Sequence, residues 1–287
     1  MSEIAYLNGK WMSPGEATVP AEDRGYNFGD GLYEVMVGYN GRLWGLERHL
    51  LRLERGMREI ELTGITIAEV RDVINEAVER SGMDETYVYV QLSRGVATRK
   101  HDWPDGMRPS LFLYVRPRPI VDDSVYTEGV ATITTPEIRW GRCDIKSINL
   151  LPNCLAQHKA RAAGAYDAIF ITEGGTVTEG AQSSLFIVAD GTLVTREDGP
   201  HILPGITQGL IVETAHRMKV PVERRPFTKD ELLGADEAFL TVSTRGAVPI
   251  ATVDGARLAG AVPGPITKQL SVAYWQRRDR GDDAVAT

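Results

Sequence analysis

The chain has 287 residues, 43% of them hydrophobic and 25% charged, with a formal net charge of −7. This is the composition of a soluble globular protein with room for one large domain or two ordinary ones, and the acidic balance argues against a nucleic-acid or anionic-membrane partner. The two cysteines, Cys143 and Cys154, exclude a disulfide framework, "MSEIAYLNGKW" lacks the basic start and apolar run of a signal peptide, so none is expected, no apolar run reaches the length of a membrane span, and a cytoplasmic setting is expected.

The N-terminal third starts with strands. "AYLNGKW" and "GLYEVMVGYNGRLWG" contain Asn8-Gly9 and Asn40-Gly41, both hairpin turn signals. In "LERHLLRLERGMREIEL", Leu46, Leu50, Leu53, Met57 and Ile60 recur at helical spacing. Thr66 with Glu69 forms a capping box for a second helix, which Ser81-Gly82 ends. Two strand-like runs follow, "TYVYVQL" and "SLFLYV", and then "RPRPIVDDSV" (116–125), the best linker candidate.

Beyond the linker the pattern restarts with the strand "GVATITT". "PNCLAQHKARAAG" has a proline in its first turn and Gly164 past its end, as a helix would. "YDAIFIT", "SLFIVAD" and "TLVT" are expected as successive antiparallel strands joined at Gly174-Gly175 and Asp190-Gly191. Helices are expected near Thr207 and at Thr228, "EAFLTVST" as a strand, and the charged tail "RRDRGDDAVAT" as a fraying end. The fold class is α+β in two domains: a small N-terminal domain (1–118), an interdomain linker (119–125) and a larger C-terminal domain (126–287). Clefts between such domains commonly hold a ligand.

Common catalytic signatures are absent. There is no GxxxxGK[ST], GxSxG or HExxH, and "FGDGLYE" fails as a GxGxxG fingerprint because Glu34 occupies the last glycine position. The five histidines show no metal-ligand spacing, so no metal site is expected. Lys146 stands among Ile145, Ile148, Leu150 and Leu151, which suits either a snorkelling stem or an amine kept neutral by desolvation.

Six segments together are more informative. "FGDGLYE" (28–34), "ERHLLRL" (47–53), "DIKSINLLPN" (144–153), "VTEG" (177–180), "ILPGIT" (202–207) and "TVST" (241–244) resemble, in order and spacing, the landmarks of fold-type IV pyridoxal-phosphate enzymes. That group includes branched-chain and D-amino-acid transaminases and aminodeoxychorismate lyase. The resemblance implies a two-domain architecture whose C-terminal domain carries Lys146, the amine that forms a Schiff base with the cofactor aldehyde and later shuttles the substrate proton. It makes Glu179 the partner of the pyridine nitrogen. Arg52 would bind the cofactor phosphate with the helix start at Ile206 and Thr207 and the hydroxyls of Ser243 and Thr244, and Leu203 would pack on the cofactor ring. By themselves these residues have plainer readings: a solvated helix face for Arg52, a hairpin carboxylate for Glu179, a core leucine for Leu203.

Arg99 and His101 in "SRGVATRKHDWP" form an RxH pair resembling the carboxylate trap of D-amino-acid transaminases, completed by Tyr33. Taken alone, "TRKH" is a basic surface turn. The resemblance implies a pyridoxal-phosphate-dependent D-amino-acid aminotransferase acting by a ping-pong cycle on amino acids and 2-oxo acids, working as a homodimer whose RxH loop comes from the second subunit. Alternatives are a branched-chain L-transaminase, an (R)-amine transaminase, aminodeoxychorismate lyase and a non-catalytic cofactor-binding relative. One departure is Ser184, where many relatives carry asparagine.

Overall fold

In the computed structural model, which describes residues 2–283, Asn8-Gly9 and Asn40-Gly41 both turn with left-handed backbone, at φ 48° and 92° and at φ 51° and 72°. Such turns match the twist of the strands they join. They connect β1 (Ile4–Leu7) to β2 (Lys10–Met12) and β3 (Gly31–Tyr39) to β4 (Arg42–Leu43), with α1 (Arg24–Phe28) lying before β3. The two expected helices form as α2 (Leu46–Glu59) and α3 (Ile67–Ser81), the second with its Thr66–Glu69 capping box and a left-handed Gly82. With β5 (Thr86–Ser93) and β6 (Ser110–Pro117) the strands make an antiparallel sheet in the order β2-β1-β6-β5-β3-β4.

The middle of β5 and of β6 alternates buried and half-buried residues. Val88, Val90, Leu92, Leu111, Leu113 and Val115 pack with Leu50, Leu53 and Met57 of α2 and Val70, Ile74 and Ala77 of α3 into one core. Gly56 lets α2 lie close on β3, since a Cβ there would meet Leu32 at 3.1 Å. That approach brings the α2 side chains His49 and Arg52 onto Glu34.

Residues up to Pro119 form one compact unit together with Ile145–Asn149, and Ile120–Asp144 with Leu150–Asp283 form a second. The short segment around Lys146 thus groups with the N-terminal unit, whereas the sequence analysis placed the lysine in the C-terminal domain. The cause is backbone pairing: Tyr33 N donates to Lys146 O (3.1 Å) and Ile148 N donates to Gly31 O (3.1 Å), so the segment covers a stretch of β3 that β4 does not reach.

In the second unit, α4 (Ser124–Thr127) precedes β7 (Val130–Pro136), and α5 (Leu151–Ala162) leads to β8 (Asp167–Ile171) and β9 (Val177–Gly180). Then come β10 (Ser184–Ala189), β11 (Thr192–Thr195), α6 (Ile206–Arg217), β12 (Val222–Arg224) and α7 (Lys229–Gly234). The chain closes with β13 (Glu237–Val242), β14 (Gly246–Val253), β15 (Ala256–Arg257) and α8 (Pro265–Arg280). The sheet order is β12-β11-β10-β13-β14-β7-β8-β9, with β15 beside β14.

Two expectations are corrected here. The strands "YDAIFIT" and "SLFIVAD" are not neighbours: β8 pairs antiparallel with β9 and parallel with β7, while β10 lies between β11 and β13. A helix-length crossover, α5, makes the parallel β7–β8 pair possible. Nor does the start of "RRDRGDDAVAT" fray. Arg277 is 2% exposed and its Nη1 donates to Leu210 O and Thr214 Oγ1 of α6, and the last four residues lie outside the described residues. Among the described residues no helix is long and apolar enough to cross a membrane.

Candidate active site

Lys146 is half-buried between the buried Ile145 and Ser147, and its Nζ lies 4.2 Å from the centroid of the Tyr33 ring. An amine set against an aromatic face, on a segment fixed by backbone bonds, is neither snorkelling nor solvated freely. Tyr33 in turn stacks on Tyr89 at 5.9 Å, so the phenol beside the lysine is held by an aromatic neighbour on the next strand.

Beneath this pair lies a charged cluster. Arg52 grips Glu34 with both ends of its fork, Nε to Oε1 at 2.8 Å and Nη2 to Oε2 at 2.7 Å. His49 Nδ1 lies 2.6 Å from the same Oε2. Burial raises the Glu34 pKa, but the charges of Arg52 and His49 and their hydrogen bonds outweigh it and bring it down to about 2. Burial likewise lowers the His49 pKa, opposed by Glu34 and reinforced by Arg52 and Lys146. The imidazole is therefore neutral at pH 7, with its Nδ1–H donating to the carboxylate.

A carboxylate whose folded pKa lies near 2, against an ordinary value of 4.5, stabilises the fold fully above 4.5 and loses that contribution as pH falls toward 2. The interval corresponds to about 3 kcal/mol. Thermal unfolding followed from pH 6 to pH 2 is expected to show a steeper loss for the wild type than for Glu34→Gln. Parallel curves would contradict the pairing.

Arg99 and His101 sit on an irregular loop, both exposed, against Phe28 of α1: the guanidinium carbon of Arg99 is 4.9 Å from the ring centroid and the His101 ring 5.8 Å. Among the described residues no hydrogen bond or ring contact joins either of them to Tyr33 within this chain.

In the second unit, Glu179 is buried on β9. Arg139 Nη1 donates to its Oε1, and Leu203 N donates to both carboxylate oxygens, at 3.1 and 3.2 Å. Arg139 also binds Glu137 (Nε to Oε1 at 2.9 Å, Nη2 to Oε2 at 2.6 Å), and its guanidinium lies 4.5 Å over the Phe170 ring. Burial opposes the Arg139 charge, but the two carboxylates raise its pKa, so a fixed cation stands behind Glu179. Leu203 is half-buried, and its backbone N–H, rather than its side chain, contacts Glu179.

Ile206 and Thr207 open α6, whose N-cap is Gly205 and whose first turn contains no acidic residue. The backbone is close-packed here, since a Cβ on Gly205 would meet Ser184 Oγ at 2.5 Å. The serine that departs from the family's asparagine is thus buried against the helix start. Ser243 and Thr244 form the turn after β13, both half-buried. Sequence reasoning missed Glu34, His49 and Arg139. The His49–Arg52 spacing of three on a helix was the available sign for the first pair, and nothing local marked Arg139.

By itself, the first unit offers a primary amine that an aldehyde can capture and a guanidinium suited to an anion. By itself, the second offers a buried carboxylate backed by a cation and a helix start free of acidic side chains.

The chain matches the family Amino-transferase class IV over residues 31–253. It is 38% identical over 270 residues to the D-alanine aminotransferase of Bacillus licheniformis, covering 93% of this chain and 94% of that relative. The branched-chain amino acid aminotransferase of Escherichia coli superposes with a TM-score of 0.87 at 21% identity, covering 96% and 94% of the two chains, which speaks to fold alone. A pyridoxal-phosphate-bound hypothetical aminotransferase from Mycobacterium tuberculosis gives a TM-score of 0.83 at 25% identity, covering 94% and 97%. With the match spanning most of the chain, this protein belongs to the class IV aminotransferase family.

Proposed function

We propose that this class IV aminotransferase is a pyridoxal-phosphate-dependent D-amino-acid transaminase, moving an amino group from a D-amino acid such as D-alanine or D-glutamate to a 2-oxo acid. The observation that carries the reading is the RxH pair, Arg99 and His101, both exposed on one loop, in a chain 36–38% identical to D-alanine aminotransferases over more than nine-tenths of its length.

When bound, pyridoxal phosphate supplies the electron sink that lets a substrate α-hydrogen leave as a proton. Lys146 Nζ is proposed as the base that takes this proton and returns it to the same face. Arg52 binds the cofactor phosphate with its guanidinium pre-oriented by Glu34, together with the N–H groups of Ile206 and Thr207 and the hydroxyls of Ser243 and Thr244. Glu179, backed by Arg139, would hold the pyridine nitrogen of the bound cofactor, and Leu203 would pack on its ring. Tyr33, Arg99 and His101 hold the substrate carboxylate and so determine which enantiomer turns its α-hydrogen to Lys146. The exposure of Arg99 and His101 supports a homodimer in which this loop serves the second subunit's site. The cytoplasm, where free amino acids and 2-oxo acids meet, is the proposed compartment.

A panel of D- and L-amino acids with 2-oxoglutarate or pyruvate tests the assignment. D-Alanine turnover at least about a hundredfold above L-leucine in kcat/KM is expected. Preference for L-leucine would give a branched-chain transaminase, and preference for (R)-amines an amine transaminase. No turnover with retained cofactor would leave a lyase or a binding protein.

A further inference from the structure

We infer that Arg24 is a positioning residue for substrate recognition, its buried guanidinium holding the loop that presents Arg99 and His101 while the Arg94–Trp103 stack fixes the loop's far end. The inference rests on the proposed role of those two residues as the carboxylate grip.

Arg24 opens α1 and is 3% exposed. Its fork takes three consecutive backbone carbonyls: Nη1 donates to Lys100 O (2.7 Å) and Asp102 O (3.1 Å), and Nη2 donates to His101 O (3.0 Å). Its Nε donates to Asp30 Oδ2 at 2.7 Å. Residues 97–104 have no helix or strand of their own, so the loop's conformation depends on such side-chain partners. A planar guanidinium is the one side chain that can satisfy several acceptors lying in a fixed fan.

The anchor is itself anchored. Asp30 also accepts from Arg94 Nε (2.9 Å to Oδ2), and Arg94, 4% exposed, donates onward to Glu61 O (3.1 Å) and Ile60 O (2.7 Å). The Arg94 guanidinium carbon then lies 3.8 Å from the Trp103 ring centroid. Two buried arginines share one aspartate, and the carbonyl dipoles of the loop take up the remaining positive charge. Phe28, four residues along α1, faces both the Arg24 guanidinium (4.8 Å) and that of Arg99 (4.9 Å). One short helix thus supplies both the clamp and the platform of the proposed grip. Displacement of a gripping group by about 1 Å costs roughly a hundredfold in rate, so the order of this loop bears directly on substrate affinity.

Arg24→Lys keeps the charge beside Asp30 and removes the fork. The expected result in steady-state kinetics is a KM for D-alanine raised about tenfold with kcat within about twofold, and little change in thermal melting. In an Arg99→Ala background the same substitution should add less than about twofold, because the loop then has only His101 left to place. Unchanged KM in folded Arg24→Lys, a fall in kcat alone, or full additivity with Arg99→Ala would each overturn the inference. Should Arg24→Lys fail to fold, Trp103→Ala, at a site 44% exposed, is expected to raise KM about threefold with kcat preserved, and an unchanged KM there would count equally against it. Arg99→Ala with a normal KM would remove the grip reading and this inference together. A raised KM in Arg99→Ala with a normal one in Arg24→Lys would remove the clamp alone.

Discussion

Replacing Lys146 with alanine is expected to lower kcat by at least about a thousandfold while leaving the fold intact. The main-chain oxygen of residue 146, not its side chain, accepts from Tyr33 N, and among the described residues the side-chain amine donates no hydrogen bond that the fold requires. Melting should therefore shift by only about 2 °C. The lost amine is the group set against the Tyr33 ring at 4.2 Å, above the Glu34–His49–Arg52 cluster. Mass spectrometry after borohydride reduction provides the check: wild-type protein loaded with pyridoxal phosphate should carry one covalent adduct, on the peptide containing Lys146, and the alanine variant none. An adduct mapped to another lysine, or a variant with wild-type turnover, would refute the role.

Local rules made much of the fold legible. The hairpins at Asn8-Gly9 and Asn40-Gly41, the α2 stripe and the Thr66 and Thr228 capping boxes depend on residues close in sequence, and these contacts are encoded where they are made. Strand order in the second sheet is different in kind. β8 and β10 are both buried along nearly their whole length, and only the crossover through α5 and the long return through β13 decide that they do not pair. The site shows the same division. Lys146, Glu179 and Arg52 stand in contiguous signatures, whereas Arg139 becomes meaningful only when β7's trailing turn meets β9 and Leu203. Arg24 is less legible still. Its three acceptors lie 76 to 78 residues away, and an arginine after an aspartate at a helix start has no local mark of burial. The grouping of Ile145–Asn149 with the first unit escaped for the same reason, since backbone pairing to β3 leaves no trace in side-chain type.

Glu179→Gln is expected to lower kcat about a hundredfold with the cofactor still bound. The carboxylate accepts from Arg139 on Oε1 and from Leu203 N on both oxygens. Glutamine preserves the shape but carries one acceptor and one donor, so its NH2 group must point at Arg139 or at the Leu203 N–H. Either orientation places donor against donor in a buried site, which costs about 1–3 kcal/mol. Arg139 keeps Glu137, whose pKa burial raises and whose bonds to Arg139 and Thr178 lower further, to a net decrease, so the cation stays compensated and the fold should survive. Under the proposed role, what disappears is the negative charge that Glu179 would offer to the cofactor's ring nitrogen, and proton removal by Lys146 is expected to slow. Single-turnover absorbance changes on adding D-alanine should therefore slow as much as kcat, whereas KM moves little. Glu179→Asp, which keeps the charge but draws it back by one methylene, should recover part of the rate. A glutamine variant within about twofold of wild type in the single-turnover rate would show that this carboxylate serves Arg139 and the Leu203 turn as a structural anion and has no part in the chemistry.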